Sequence, residues 1–209
     1  MSNSAEIKRK FSERFQIDAD GMRQFEIYEG LLRKWQKTIN LVAARTLDEV
    51  WQRHFWDSAQ LFELGAGRKH WLDLGSGGGF PGLIIGIMLK QAGTGDIQLV
   101  ESDQRKCAFL REVSRETGSP VTVHNCRIEA SEAVIRQPVD VVTARALADL
   151  PTLLGYAQEY LENGAIGLFP KGQDVGSELT QLAMDSRIHL NLRPSETDRS
   201  ARIVVASAV

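Results

Sequence analysis

Asp73 to Gly82 read DLGSGGGFPG, a carboxylate followed by a dense run of glycines. Glycine loses more conformational freedom on folding than any other residue, so such a run implies a sharp turn or a close ligand. Two spacings fit. Gly77, Gly79 and Gly82 form G-x-G-x-x-G, which suits a dinucleotide pyrophosphate at a helix N-terminus. Asp73, Gly75, Gly77 and Gly79 form D-x-G-x-G-x-G, which suits a nucleoside carrying no phosphate. Glu101 ends the next apolar run, IQLVE, where its carboxylate can accept hydrogen bonds from both ribose hydroxyls of an adenosine. NAD and S-adenosylmethionine share that ribose, so Glu101 does not separate them.

Three features favour S-adenosylmethionine. Asp73 stands two residues before Gly75, where its charge repels a pyrophosphate but suits an ammonium and a sulfonium. The chain after the loop completes one sheet and little else, whereas a dehydrogenase usually adds a substrate domain. A closing antiparallel hairpin is a methyltransferase feature by analogy of fold. Ile128 and Glu129 follow the third apolar run, where an apolar wall and an acceptor for an adenine amino group belong. Glu129 equally suits the start of a helix. Arg145 ends the fourth run, VDVVTAR, on the side that faces the methyl group in such a fold. It either holds a carboxylate, phosphate or base edge, or caps the sheet through a salt bridge.

What is missing narrows the reaction. No NPPY-like tetrapeptide occurs, and no cysteine ends the fourth or fifth run to attack a pyrimidine ring. His124 and His189 are not placed as general bases. An acceptor with a bare lone pair fits, and N7 of guanine is one; it needs alignment and exclusion of water, not deprotonation. Thiol or amine small molecules remain a second class of acceptor, and a non-catalytic NAD-type nucleotide-binding module a third reading.

These residues need a parallel α/β sheet to bring them together. Strands are expected at 70–75, 96–101, 121–125, 139–144, 165–170, 188–193 and 201–207, with helices at 81–92, 104–117, 130–136, 150–162 and 175–185. The link between the last two strands, PSETDRS, is too short for a crossover, so they pair antiparallel. Residues 1–65 read as a helical extension and 66–209 as the main domain, in one compact unit. Phe25, Tyr28, Leu32 and Trp35 form an amphipathic stripe, and Trp35 and Trp51 read as core. Thr46 with Glu49 has the spacing of a capping box opening a helix whose Val50, Phe55, Leu61 and Leu64 share a face.

Composition is that of a globular protein, with 43% hydrophobic and 25% charged residues. No segment approaches the ~18 apolar residues of a membrane span. The polar N-terminus is unlike a secretory signal. Cys107 and Cys126 form neither a disulfide framework nor a metal-ligand pattern. A cytoplasmic monomer with no membrane partner is expected. The net charge of −2 does not by itself advertise a nucleic-acid binder.

The stretches LRKWQKTINLVAAR, RHFWDSAQL, LDLGSGGGFPG, ESDQRKCAFLREV, VDVVTARALADLP and FPKGQ together resemble the bacterial small-subunit ribosomal RNA guanine-N7 methyltransferases, the glucose-inhibited division protein B family. The resemblance spans about Leu31 to Gly172 in consistent order. It implies a Rossmann-like class I methyltransferase fold with a seven-stranded, mostly parallel sheet. It also implies S-adenosylmethionine as donor, and 16S ribosomal RNA or the small subunit as partner. Its donor contacts fall on Gly75, Phe80, Ile128, Glu129 and Arg145, with Gly77 in the same loop and Glu101 where the family often shows Asp. Gln36 replaces the family's Asn after Trp, Asn40 is kept, and Val42 stands where Thr is common, which removes a hydroxyl. Lys34, Lys37, Arg45, Arg53 and His54 are then candidates for RNA phosphates, with Lys171 near the donor-side rim.

Overall fold

Strand–helix alternation after His70 folds as its spacing implies. The computed structural model describes residues 3–181 and 187–209. Its sheet comprises β1 (His70–Leu74), β2 (Asp96–Glu101), β3 (Val121–Asn125), β4 (Val141–Thr143), β5 (Ile166–Lys171), β6 (Ile188–Pro194) and β7 (Arg202–Ala208), in the order β3-β2-β1-β4-β5-β7-β6. β1 to β5 pair in parallel, and β7 runs antiparallel to both β5 and β6. The order reverses direction at β1, so a crevice opens beside its C-terminal end. The crossovers are α4 (Gly82–Ala92), α5 (Gln104–Thr117) and α6 (Leu150–Glu162), followed by a shorter α7 (Val175–Gln181). The remainder of the helix expected at 175–185 lies outside the described residues.

Alternation along the strands divides the interior. Trp71, Ile97, Leu99, Val141, Leu168 and Ile203 face a core shared with α4 and α5. Leu72, Leu74, Val100, Val142, Phe169 and Val204 face a second core under α6. Strands covered on both faces must be apolar at successive positions, which is why β1 and β4 read as short continuous runs.

The first core also contains the N-terminal helices α1 (Asn3–Phe15), α2 (Ala19–Trp35) and α3 (Asp57–Leu64). Asp18 caps α2 by accepting from the Gly21 amide at 2.7 Å. The α2 stripe is buried at Phe25, Tyr28 and Leu32, and Trp35 packs against it. Trp51 is core as well, its indole nitrogen donating to Glu29 at 2.7 Å. Phe11, Phe25, Trp51 and Phe55 form an aromatic cluster with centroids 4.8 to 6.3 Å apart.

Two expected helix positions fail. Residues 130–136 form no α-helix; a 3₁₀ turn at Ile128–Ala130 leads into further turns. Seven residues before the Gln137–Pro138 step are too few to repay helix nucleation, and the residue before proline disfavours the helical region. Thr46 is not an N-cap either. It ends a 3₁₀ turn (Ala44–Thr46), and its hydroxyl donates to the Ala43 carbonyl at 2.7 Å. The chain then enters α3 through a π-helical turn (Trp51–Trp56), in which Trp51 and Phe55 are both buried.

The glycine loop is tied down from both sides. Asp73 is fully buried at the end of β1. One of its oxygens accepts from the Gly82 amide at the start of α4, 3.2 Å away, and the other from the Thr143 hydroxyl at 2.9 Å. From the N-terminal side, the Tyr28 hydroxyl donates to the Gly78 carbonyl at 2.5 Å. Tyr28→Phe leaves that buried carbonyl unpaired and should cost about 1–2 kcal/mol in urea unfolding; an unchanged midpoint would show the tie to be idle. Burial pushes the Asp73 pKa up to about 6, against the hydrogen bonds it accepts. A raised folded pKa means this group favours folding below its unfolded pKa and loses that contribution as pH rises through about 6. Asp73→Asn should therefore gain on the wild type between about pH 4 and pH 7, by roughly 2 kcal/mol; a difference independent of pH would contradict this.

Candidate functional site

The C-terminal ends of β1, β2 and β4 open into a cavity of about 750 Å³. Its lining includes Gly75, Gly77, Phe80, Glu101, Ile128, Glu129 and Arg145, so the fold brings all seven of these sequence-selected residues together. Each arrives by a different route, and the glycine loop comes first. Gly75, Gly77 and Gly79 all have positive φ, at 67°, 55° and 89°. The working pattern is thus the alternating one that starts at Asp73. A Cβ on Gly82 would sit 2.3 Å from a Leu99 methyl and 2.7 Å from Asp73, so that glycine serves helix–strand contact. The residue between the two arms, Gly78, is pressed against the Leu41 carbonyl, which a Cβ would meet at 2.8 Å.

Glu101 is only 8% exposed. One carboxylate oxygen accepts from the Gly77 amide and the other from the Asp103 amide, each at 2.8 Å. These bonds fix the carboxylate plane at the cavity wall and leave further lone pairs for a diol. Ile128 and Glu129 lie on the 3₁₀ turn after β3, so Glu129 does not open a helix; it accepts from the Tyr156 hydroxyl at 3.3 Å. Asp73, expected near a ligand cation, is absent from the lining and acts from beneath the loop.

Phe80 lies at the centre of a stack. Its ring is 5.3 Å from Tyr28, 4.9 Å from His54 and 5.0 Å from the Arg145 guanidinium. Of the two sequence readings of Arg145, the structure shows the salt bridge. Arg145 pairs with Asp57 at 3.2 Å and donates to the Arg53 carbonyl at 3.2 Å, yet still lines the cavity. Its other terminal nitrogen is 2.9 Å from His54 Nδ1. Guanidinium has only protons to give, so Nδ1 accepts, and Nε2 carries the proton that goes to Thr46 Oγ1 at 2.8 Å.

That geometry corrects one assignment. His54 was expected to meet RNA phosphate as a cation. Burial first, then the charges of Arg145 and Arg53, lower its pKa to about 3. It is a neutral side chain with both nitrogens engaged, and no phosphate ligand. Arg53 is exposed and lines the cavity mouth. Arg45 is exposed on its 3₁₀ turn and does not line this cavity, although Ala43 and Thr46 on either side do. Lys171 does not border the first cavity. It lines a neighbouring one of about 370 Å³.

The wall formed by Leu41, Val42 and Ala43 was not anticipated. Gln36 holds it: its amide nitrogen donates to the Val42 carbonyl at 2.9 Å, and its oxygen accepts from the Leu41 and Val42 amides. One polar side chain beside Trp35 was the available signal. Of the other basic residues, Lys34 pairs with Glu112, and Lys37 is exposed. Cys107 is buried, whereas Cys126 is half-buried in the cavity wall.

Comparison with known proteins shows the family and the fold. The family model for GidB, rRNA small subunit methyltransferase G, matches residues 21–197. Curated relatives named ribosomal RNA small subunit methyltransferase G include one from Rhodospirillum centenum, 48% identical over 95% of this chain and 89% of its own. Another, from Parvibaculum lavamentivorans, is 48% identical over 93% and 86%. Among solved structures, a putative O-methyltransferase from Klebsiella pneumoniae aligns with a TM-score of 0.60 and 17% identity over 91% of this chain and 90% of that one. An rRNA methylase from Streptococcus thermophilus aligns at 0.54 and 12% identity over 73% and 93%. Those structures share the Rossmann-like fold, and on its sequence the chain belongs to the rRNA small subunit methyltransferase G family.

Proposed function

We propose that this chain methylates N7 of a guanine in 16S ribosomal RNA, with S-adenosylmethionine as donor. The observation that carries the reading is the cavity itself: a glycine loop with three positive-φ turns facing a fixed carboxylate. Its volume of about 750 Å³ suits a nucleoside-sized ligand. Its chemistry fits too. Glu101 presents an acceptor for a diol, Ile128 an apolar wall and Glu129 an acceptor beside it. Gly75, Gly77 and Phe80 would hold the rest of the donor, with Arg145 at the boundary.

The donor supplies a methyl group on a sulfonium, and the N7 lone pair can take it without losing a proton. The protein's task is therefore to align and to exclude water. The stack of Tyr28, Phe80 and His54 provides a rigid apolar back wall. No general base is needed, and His54 is not one, since it is neutral and already accepts from Arg145. Arg53 and Arg45 would meet phosphates of a splayed-out RNA loop. We assign residues 1–65 to a helical extension and 66–209 to the methyltransferase domain. The shared core around Phe11, Phe25 and Ile84 supports one compact unit.

A cytoplasmic monomer fits this role. Among the described residues no helix is long and apolar enough to cross a membrane, and the exposed large apolar side chains Ile27, Val134, Leu192 and Val209 lie on different elements.

Tritiated methyl donor with small subunits lacking the modification should label one guanine, at N7. Label confined to small molecules or to another atom would overturn the reading. Glu101→Ala should weaken S-adenosylhomocysteine binding about tenfold or more in calorimetry, from the loss of a fixed acceptor; unchanged affinity would remove Glu101 from the donor site. The rate at saturating substrates should be flat from about pH 6.5 to 8.5, because no group must titrate; a limb near neutrality would reveal a base.

A further inference from the structure

The second cavity adjoins the first, and the two share Arg53, Arg145 and Ala146 as lining residues. Ala146 has φ of 53°, a left-handed conformation that costs a non-glycine residue energy and concentrates at ligand sites. The second cavity also receives the end of β5 at Pro170 and Lys171 and the start of β7 at Arg202 and Ile203. Its volume, about 370 Å³, is near the lower end for ligand pockets and suits one base with its sugar. A base seated there would adjoin the first cavity along the shared edge at Arg145 and Ala146.

On its wall, Lys171 and Glu178 form an ion pair at 2.7 Å, with both side chains largely buried. Lys171 also donates to the Ala148 carbonyl at 2.9 Å, and Glu178 accepts from the Leu150 amide at 2.6 Å through the same oxygen that meets Lys171. Lysine has three protons, so one remains. Among the described residues, Glu178 Oε1 accepts no hydrogen bond. The cavity therefore presents a donor and a carboxylate acceptor side by side. Guanine offers the complement, an acceptor at O6 next to the N1 and N2 donors, whereas adenine offers a donor at N6 next to an acceptor. Extruded bases are read on this edge, which leaves N7 unengaged.

We propose that the second cavity receives the acceptor base and that Lys171 and Glu178 read its Watson–Crick edge as guanine. This rests on the reading of the chain as a ribosomal RNA guanine methyltransferase. Arg145, held by Asp57, His54 and the Arg53 carbonyl, is then a fixed edge common to both cavities, beside which N7 meets the methyl group directly.

The test pairs a protein change with a base change. Small-subunit RNA is prepared with guanine or inosine at the labelled position, inosine lacking the 2-amino group. The wild type should lose about tenfold in kcat/KM on inosine, the scale of one missing hydrogen bond to a charged group. Glu178→Gln should show little further loss on inosine, because the partner of that amino group has already changed. Lys171→Met should lower kcat/KM on guanine RNA about tenfold while leaving S-adenosylhomocysteine affinity within about threefold, since Lys171 lines only the second cavity. Thermal melts and S-adenosylhomocysteine titrations of each variant separate misfolding from lost recognition. An equal inosine penalty in wild type and Glu178→Gln overturns the proposal while leaving the activity intact. Absence of any guanine label with the wild type overturns the underlying activity and the proposal with it. If Glu178→Gln does not fold, retention of full kcat/KM by Lys171→Met overturns the proposal alone.

Discussion

The glycine loop has almost no side chains of its own, so its shape must be imposed from outside. Three groups impose it: Asp73 below, Glu101 across and Tyr28 behind. Each supplies a hydrogen bond to a backbone atom that would otherwise be left unpaired in or near the interior. The buried Asp73 carboxylate does so at a cost, visible in its raised pKa, which the amide at the start of α4 and the Thr143 hydroxyl partly offset. Without those ties, three positive-φ residues in a row of alternating turns would sample many conformations and bind nothing tightly.

Tyr28 gives the N-terminal helices a role beyond reaching RNA. It stacks on both Phe55 and Phe80 while its hydroxyl holds Gly78. Gln36 fixes the Leu41–Val42 wall, and the Leu41 carbonyl closes against Gly78. The first cavity is therefore built by both the sheet and the N-terminal segment. The same stack sets the electrostatics around Arg145. His54, packed on Phe80 and kept neutral, accepts from Arg145 where a charged ring would repel it. Asp57 balances the guanidinium from the other side. The Arg145 cation in the cavity wall is thus already paired, which suits the proposed reaction, where donor and product both carry positive charge.

The sheet was legible in the sequence because parallel strands covered on both faces must be apolar at successive positions, and because the gap before β7 is too short for a crossover. That seven residues would converge on one cavity was legible because they sit at strand ends or in the glycine loop, where topology dictates position. The environment of His54 depends on a contact distant in sequence, which residue type alone does not report. His54 looks like a surface cation until Arg145, 91 residues away, is packed against it. Residues 130–136 carry a helical pattern too short to hold without tertiary support. Gln36 carried little signal, an amide beside Trp35 in an otherwise polar stretch, and only the folded chain shows that it grips Leu41 and Val42.

The central claim is that the donor cavity is one structure built jointly by the glycine loop and the N-terminal segment. Amide hydrogen exchange with and without S-adenosylhomocysteine tests it most directly. Binding should protect the amides of Gly77–Phe80 and of Leu41–Thr46 together, with the same ligand dependence. Protection confined to the glycine loop and β2, with 41–46 exchanging as in the free protein, would contradict it.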